Sequence, residues 1–275
     1  MADRLLNYVF AILLIALFVL FADSSERIWI IITLIICSAV ALIAFLNNSL
    51  TIDGAGAALI VGVFSVGLGS WAGAVLILFL YLGSYMLSWW FGIAEHPFTA
   101  VRKEGLQIWA NTFWFVLFIA FFFMFDDSWQ MVAAGAAMAS VISSIWASIT
   151  IQSLFENAKL ITTMQVVPSG TAGAVSLPGM LAAAAGALSV AMLFLIFTFS
   201  WDLRAGVVVL VAGFSGCFVD SYLGAIFLVH KTAERWLPDT AKKSKLIWLQ
   251  RFVPGKDGVH FIAAGIASAI AVLLY

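Results

Sequence analysis

The residues that could do chemistry are a carboxylate within an apolar segment and a polar loop between two such segments. Asp220 lies about nine residues, or roughly 13 Å, from the nearer end of its predicted helix. A carboxylate inside a membrane is energetically expensive, so it usually marks a functional site. The structural alternative is a protonated Asp220 that only makes hydrogen bonds to neighbouring helices.

The polar loop covers residues 160–179 and alternates hydroxyl side chains with glycine and proline. Glycines let a backbone present its N–H groups to an anion without a side chain in the way. The loop is therefore a candidate cradle for phosphate. The alternative is a plain connection in which Pro and Gly only end two helices. Its hydroxyl residues are Thr162, Thr163, Ser169, Thr171 and Ser176.

Two amides form a weaker candidate. Gln107 and Asn111 are four residues apart, so they share one face of a helix. Such amides either contribute to a polar site or join two membrane helices through hydrogen bonds.

The elements that must position these residues are membrane helices. The 275 residues are 64% hydrophobic and only 10% charged, with a mean hydropathy of +1.11. A soluble domain carries about 25% charged residues, so this composition indicates an integral membrane protein. A net charge of −1 argues against a nucleic-acid partner. The cysteines and histidines show neither disulfide nor metal-site spacing.

Nine apolar segments are long enough to approach a bilayer core of about 30 Å. We therefore predict an all-α, polytopic helical bundle with about 7–9 transmembrane helices. The third and fourth segments are separated only by residues 67–70, so they form either two spans or a re-entrant hairpin. The segments cover residues 5–22, 28–46, 53–68, 70–93, 106–125, 129–150, 176–199, 204–229 and 259–275.

Loop charge predicts the orientation. With nine spans, all of the 13 Lys and Arg residues except Arg27 and Arg204 fall on the side of the N-terminus. The positive-inside rule makes that side cytoplasmic. The N-terminus, the polar loop at 160–179 and a long loop at 230–258 are therefore expected to be cytoplasmic.

Several fragments resemble one family of bacterial, archaeal and plant membrane proteins, long classified only as a domain of unknown function. This family includes phytyl-phosphate kinase. Residues 161–163 (ITT) and 167–179 (VPSGTAGAVSLPG) resemble its signature, and residues 220–225 (DSYLGA) resemble its Asp/Glu-Ser-hydrophobic-hydrophobic-Gly-Ala motif. Weaker matches lie at 92–95 (GIAE), 107–111 (QIWAN) and 256–260 (KDGVH).

The resemblance implies one membrane domain over residues 1–275, with two additional N-terminal helices at 1–49 and the family-like core at 50–275. It also implies a kinase that converts a prenyl monophosphate, such as phytyl or geranylgeranyl phosphate, to the diphosphate at the cytoplasmic face. CTP or another nucleoside triphosphate would be the phosphate donor, and Mg²⁺ the cofactor. The implied partners are an isoprenoid lipid phosphate and the bilayer.

The same resemblance implies roles for individual residues. Asp220 and Asp257 become the candidate catalytic acids, and Asp220 and Glu95 the candidate Mg²⁺ ligands. The candidate phosphate-binding residues are Thr163, Gly170, Thr171, Gly173, Ser176 and Asn111.

The sequence departs from the family pattern at its acidic motif, Asp-Thr-x-x-Ser-Glu-Ile-Gly. Ser144 and Ile149 stand where the motif has its two acids, and His260 replaces an Asn of the last motif. Two alternatives therefore stay open. Beside the kinase, the first alternative is a catalytically degenerate member that binds an isoprenoid lipid or joins a membrane assembly, with a partner subunit or as a homo-oligomer. The second alternative is a small transporter.

Overall fold

The computed structural model describes residues 2–92, 102–154, 157–198, 202–228 and 255–275, and these are mostly helical. Two π-helical segments cover Val63–Leu68 and Phe79–Gly83. The helices are α1 (Ala2–Leu20), α2 (Ser24–Leu46), α3 (Ile52–Gly62), α4 (Ser70–Leu78), α5 (Ser84–Trp90), α6 (Gly105–Phe125), α7 (Ser128–Leu154), α8 (Leu177–Thr198), α9 (Leu203–Phe227) and α10 (Gly255–Leu274).

The polar loop between α7 and α8 contains a small antiparallel sheet. Its strands are β1 (Asn157–Leu160), β2 (Val166–Pro168) and β3 (Ala174–Val175), with β1 in the middle. The sequence predicts only a loop here. The hydrogen bonds of the sheet hold the backbone of most of this segment in place.

The predicted all-α membrane bundle is confirmed. In the described part of the chain, 7 helices are long and apolar enough to cross a bilayer, and Arg4–Leu20 and Ile52–Leu68 are shorter apolar helices. The last span was predicted at 259–275, but the helix there, α10, already starts at Gly255. The rest of the predicted loop at 230–258 lies outside the described residues.

The bundle has two polar ends. At the first face, Arg4 Nε lies 3.1 Å from both carboxylate oxygens of Asp53, and Leu50 pairs with Lys103 just before α6. At the second face, the Tyr275 hydroxyl lies 3.1 Å from Asp202 Oδ2, next to the start of α9. The first face therefore carries the N-termini of α1, α3, α6, α8 and α10. Its cytoplasmic location stays a prediction from the distribution of basic residues.

The third and fourth apolar segments form a tight helical hairpin. A Cβ at Gly69 would lie 2.5 Å from the Ser65 carbonyl oxygen, and a Cβ at Gly73 would collide with the same atom. Because only glycine permits this contact, α4 can turn back directly after the π-helical segment that ends at Leu68.

Helix α7 is the centre of the bundle and packs against α6, α8, α9 and α10. Every residue from Gln130 to Ser144 is buried, and most are Ala, Gly, Ser or Met. Small residues allow membrane helices to approach backbone to backbone. Accordingly, a Cβ at Gly213 of α9 would collide with Ala139, and one at Gly216 would collide with Ser140.

We expect Gly213→Leu to destabilise the protein by about 3 kcal/mol or more, because the new side chain has no space between α9 and α7. The matched control is Val211→Leu on the same helix, which is exposed and should change stability by less than about 0.5 kcal/mol. Thermal unfolding in detergent micelles measures both variants. Equal midpoints for the two variants would contradict the close packing.

Candidate functional site

A cavity of about 280 Å³ lies at the first face between α7, α8 and α9, with the first turn of α10 at its edge. The polar loop forms its outer wall. The cavity brings together five of the residues singled out from the sequence: Gly170, Thr171, Gly173, Ser176 and Asp220.

Gly173 fixes the polar loop against α9. Its φ is +78°, and a Cβ there would collide with Ala225. The Gly173 carbonyl accepts a hydrogen bond from the Ile161 N–H at 3.1 Å, which ties the loop to the residue after β1. Ala225 is about one turn beyond Asp220, so this contact holds the loop beside the carboxylate.

The two hydroxyls of the loop that line the cavity make structural hydrogen bonds. Ser176 Oγ accepts the Gly179 N–H at 3.2 Å, and Ser176 thereby caps the N-terminus of α8. Thr171 Oγ1 donates to the Pro168 carbonyl at 2.7 Å. A side-chain cradle was the prediction for both residues. These bonds shape the loop and cap α8, while both residues also line the cavity, so their role as phosphate ligands stays a prediction.

Asp220 has a partner that the sequence analysis missed. Nδ1 of His260 lies 2.8 Å from Asp220 Oδ1, and the two side chains are only 10% and 16% exposed, respectively. The two side chains are in close polar contact, although Asp220 Oδ1 accepts no hydrogen bond among the described residues. Counting residues from the first-face ends of α9 and α10 could have predicted this contact. Asp220 lies two turns before the end of α9, and His260 lies in the second turn of the antiparallel α10.

Positive potential at the cavity comes from α10 and α8. Gly255, Lys256 and Val259 of α10 line the cavity, so the N-terminus of this helix faces it together with a lysine. Helix N-termini carry a partial positive charge, which favours bound anions. Asp257 lies in the first turn of α10 and does not line the cavity. An acid there stabilises the helix dipole.

Two other predicted site residues, Thr163 and Asn111, do not line the cavity. Thr163 is exposed in the turn between β1 and β2. Asn111 lies on α6, where its Oδ1 is buried without a hydrogen-bond partner among the described residues. Glu95 lies outside those residues.

The described lining of the cavity offers one carboxylate, Asp220, as a ligand for the predicted Mg²⁺. No group of three or more His, Cys, Asp or Glu side chains could hold a metal within the described ranges. Sites for Mg²⁺ and a phosphate substrate use one or two protein carboxylates. Here the cavity contains Asp220, which is in contact with His260, and it contains Ser144 at the position of one missing acid.

Comparison with known families identifies the chain. The sequence model described as integral membrane protein DUF92 matches residues 10–268, so the chain belongs to this family. The match includes α2 and most of α1 along with the core. No solved structure matches the chain.

We expect Gly173→Ala to displace the polar loop from α9, because the substitution adds both a collision with Ala225 and strain at positive φ. Gly170→Ala is the matched control, since Gly170 has a φ of +86° but nothing within 4 Å of an added Cβ. Hydrogen exchange at the Ile161 amide should accelerate by at least about tenfold in Gly173→Ala and much less in Gly170→Ala. Equal exchange in both variants would mean that the contact with Ala225 does not hold the loop.

Proposed function

We propose that this member of the DUF92 family binds the phosphate end of an isoprenoid monophosphate in the first-face cavity. The observation that carries the proposal is the convergence of a glycine loop, two helix N-termini and Lys256 on a cavity whose deeper wall is apolar. A polar mouth above an apolar wall fits a ligand with a charged head and a hydrocarbon tail.

The charges at the mouth support a phosphate ligand. The N-termini of α8 and α10 and the Lys256 ammonium all favour an anion. The Asp220 carboxylate disfavours a bound anion, but Nδ1 of His260 lies within ion-pair distance of this carboxylate. The other charged groups at the mouth, Lys256 and the two helix N-termini, are positive.

The apolar wall supports a hydrocarbon tail. It contains Met180 and Ala183 of α8 and Phe214 and Phe218 of α9. These side chains offer no hydrogen bonds and lie deeper in the bundle than the polar loop. An isoprenoid chain can contact them while its phosphate stays at the surface of the membrane.

The packing of α9 favours binding over transport. Gly213 and Gly216 hold α9 directly against α7, one to two turns from Asp220 towards the second face. This contact closes the cavity in that direction. A transporter would need a second arrangement of these two helices, and their contact leaves no space for a side chain, let alone a substrate.

We expect purified protein in lipid nanodiscs to bind geranylgeranyl phosphate but not the uncharged alcohol geranylgeraniol. Lys256→Gln should weaken binding by about tenfold, the effect of roughly 1.4 kcal/mol, because it removes a cation from the mouth.

Lys159→Gln is the matched control for this loss of charge. Lys159 is an exposed lysine on β1 that does not line the cavity, so its substitution should leave affinity unchanged. Binding can be measured by titration with radiolabelled ligand. Equal affinity for the phosphate and the alcohol would contradict the proposal.

A second candidate function is phosphoryl transfer from CTP or another nucleoside triphosphate to the bound monophosphate. It is favoured by one observation: the family-like loop motif and Asp220, far apart in the sequence, line the same cavity. The absence of a second carboxylate among the described lining residues favours binding without turnover. Phosphoryl transfer uses Mg²⁺ held by carboxylates to neutralise charge on the transferred group, and Asp220 is the one acid among the described lining residues.

An assay with labelled CTP, Mg²⁺ and geranylgeranyl phosphate separates the two candidates. Binding without turnover gives no diphosphate above the rate without protein. If diphosphate forms, and Asp220→Asn lowers its rate by about 100-fold or more while binding is retained, the protein is a kinase. Ser144→Asp, which adds a second carboxylate to the cavity, then tests whether a restored acid raises the rate further.

A further inference from the structure

We infer that the cavity opens sideways into the bilayer between α8 and α9, so that the protein recognises the phosphate and the first isoprene unit but not the length of the tail. This inference rests on the proposed function. It adds which part of the lipid the protein contacts and the direction from which the lipid enters.

The size of the cavity limits how much of the ligand it can hold. A cavity of about 280 Å³ is just below the roughly 300–1,000 Å³ of pockets that enclose a drug-sized ligand. A geranylgeranyl or phytyl chain is longer than such a ligand, so part of the chain must lie outside the cavity. The phosphate and the isoprene unit next to it are the part that fits at the polar mouth.

The interior of the bundle cannot take the rest of the tail. Ser140 lies one turn below Ser144, which lines the cavity, and Gly216 of α9 packs directly on it. Gly213 makes the same close contact with Ala139 about one turn further on. Backbone contact between α7 and α9 therefore forms the floor.

The side of the cavity next to α8 and α9 borders the lipid. Phe214 and Phe218 line the cavity, are half-buried, and form an edge-to-face pair with ring centroids 4.9 Å apart. They share a helical stripe with Val211 and Tyr222, which are 45% and 52% exposed. These two rings therefore separate the cavity from the bilayer.

Helix α8 has the matching arrangement. Met180 lines the cavity and is half-buried, and the next residue, Leu181, is 63% exposed. Flexible Met and paired Phe side chains can move apart without disturbing the backbone contacts of the floor. The seam between α8 and α9 is thus the route by which a tail reaches the bilayer.

The first test compares geranyl, geranylgeranyl and undecaprenyl phosphate in nanodiscs, with each concentration expressed as a mole fraction of lipid. A tail that stays in the bilayer gains nothing by binding, so the three dissociation constants should agree within about threefold. A preference of more than about tenfold for either a short or a long tail would overturn the inference. Failure of all three to bind would instead overturn the proposed function.

The second test uses single cysteines in a background with Cys37→Ser and Cys217→Ala, each carrying a nitroxide spin label attached in detergent before reconstitution. At Phe218→Cys, geranylgeranyl phosphate should lower the collision rate of the nitroxide with dissolved O₂ by at least about twofold, because the tail occupies the seam. Val211→Cys is the matched control on the same exposed stripe, and its collision rate should not change. Ligand that binds with the expected affinity but leaves the collision rate at Phe218→Cys unchanged would overturn the lateral route.

Discussion

The close contacts of α9 through glycine determine the rest of the site. Gly213 brings α9 against the backbone of α7 at Ala139, and Gly216 packs on the Ser140 side chain. A Cβ at Gly224 would lie 3.1 Å from the Gly173 backbone nitrogen. The first two contacts form the floor of the cavity, and the third holds its outer wall. Larger residues at these positions would separate α9 from α7 and the loop from α9, and the cavity would lose its walls.

The geometry of the site suits a boundary between membrane and water. The elements that we propose to bind phosphate are backbone groups and helix N-termini, which keep their partial positive charge without a metal ion. The Asp220 carboxylate lies about 10 Å inside the end of α9, 2.8 Å from Nδ1 of His260. In the proposed binding mode, the ligand has its head at the surface and its tail in the lipid.

Much of the fold could be predicted from the sequence, because membrane helices need long apolar segments and this chain has little else. Asp220 and the glycines of the polar loop were also identifiable, since a carboxylate and positive-φ residues are unusual in such a chain. The partner of Asp220 was not, because a contact between α9 and α10 depends on their relative depth. Placing the start of the last helix at 259 obscured the equal depth of His260.

The roles of individual hydroxyls were harder to predict for a different reason. The hydroxyl of Ser176 could bind phosphate, but a serine immediately before a helix is also a favourable N-cap. In the structure, Ser176 Oγ caps α8 by accepting the Gly179 N–H. Asn111 and Asp257 fit a family motif but lie off the cavity, because a motif preserves local sequence while helix rotation decides which side chains meet.

The most direct measurement is an experimental structure of the protein in nanodiscs with saturating geranylgeranyl phosphate. We expect density for the phosphate between the Gly170–Ser176 loop and the first turn of α10, within hydrogen-bond distance of Lys256. We also expect the tail to leave between α8 and α9. A phosphate bound only at the exposed first-face surface, with the cavity collapsed or filled by side chains, would contradict the assignment of this cavity as the ligand site.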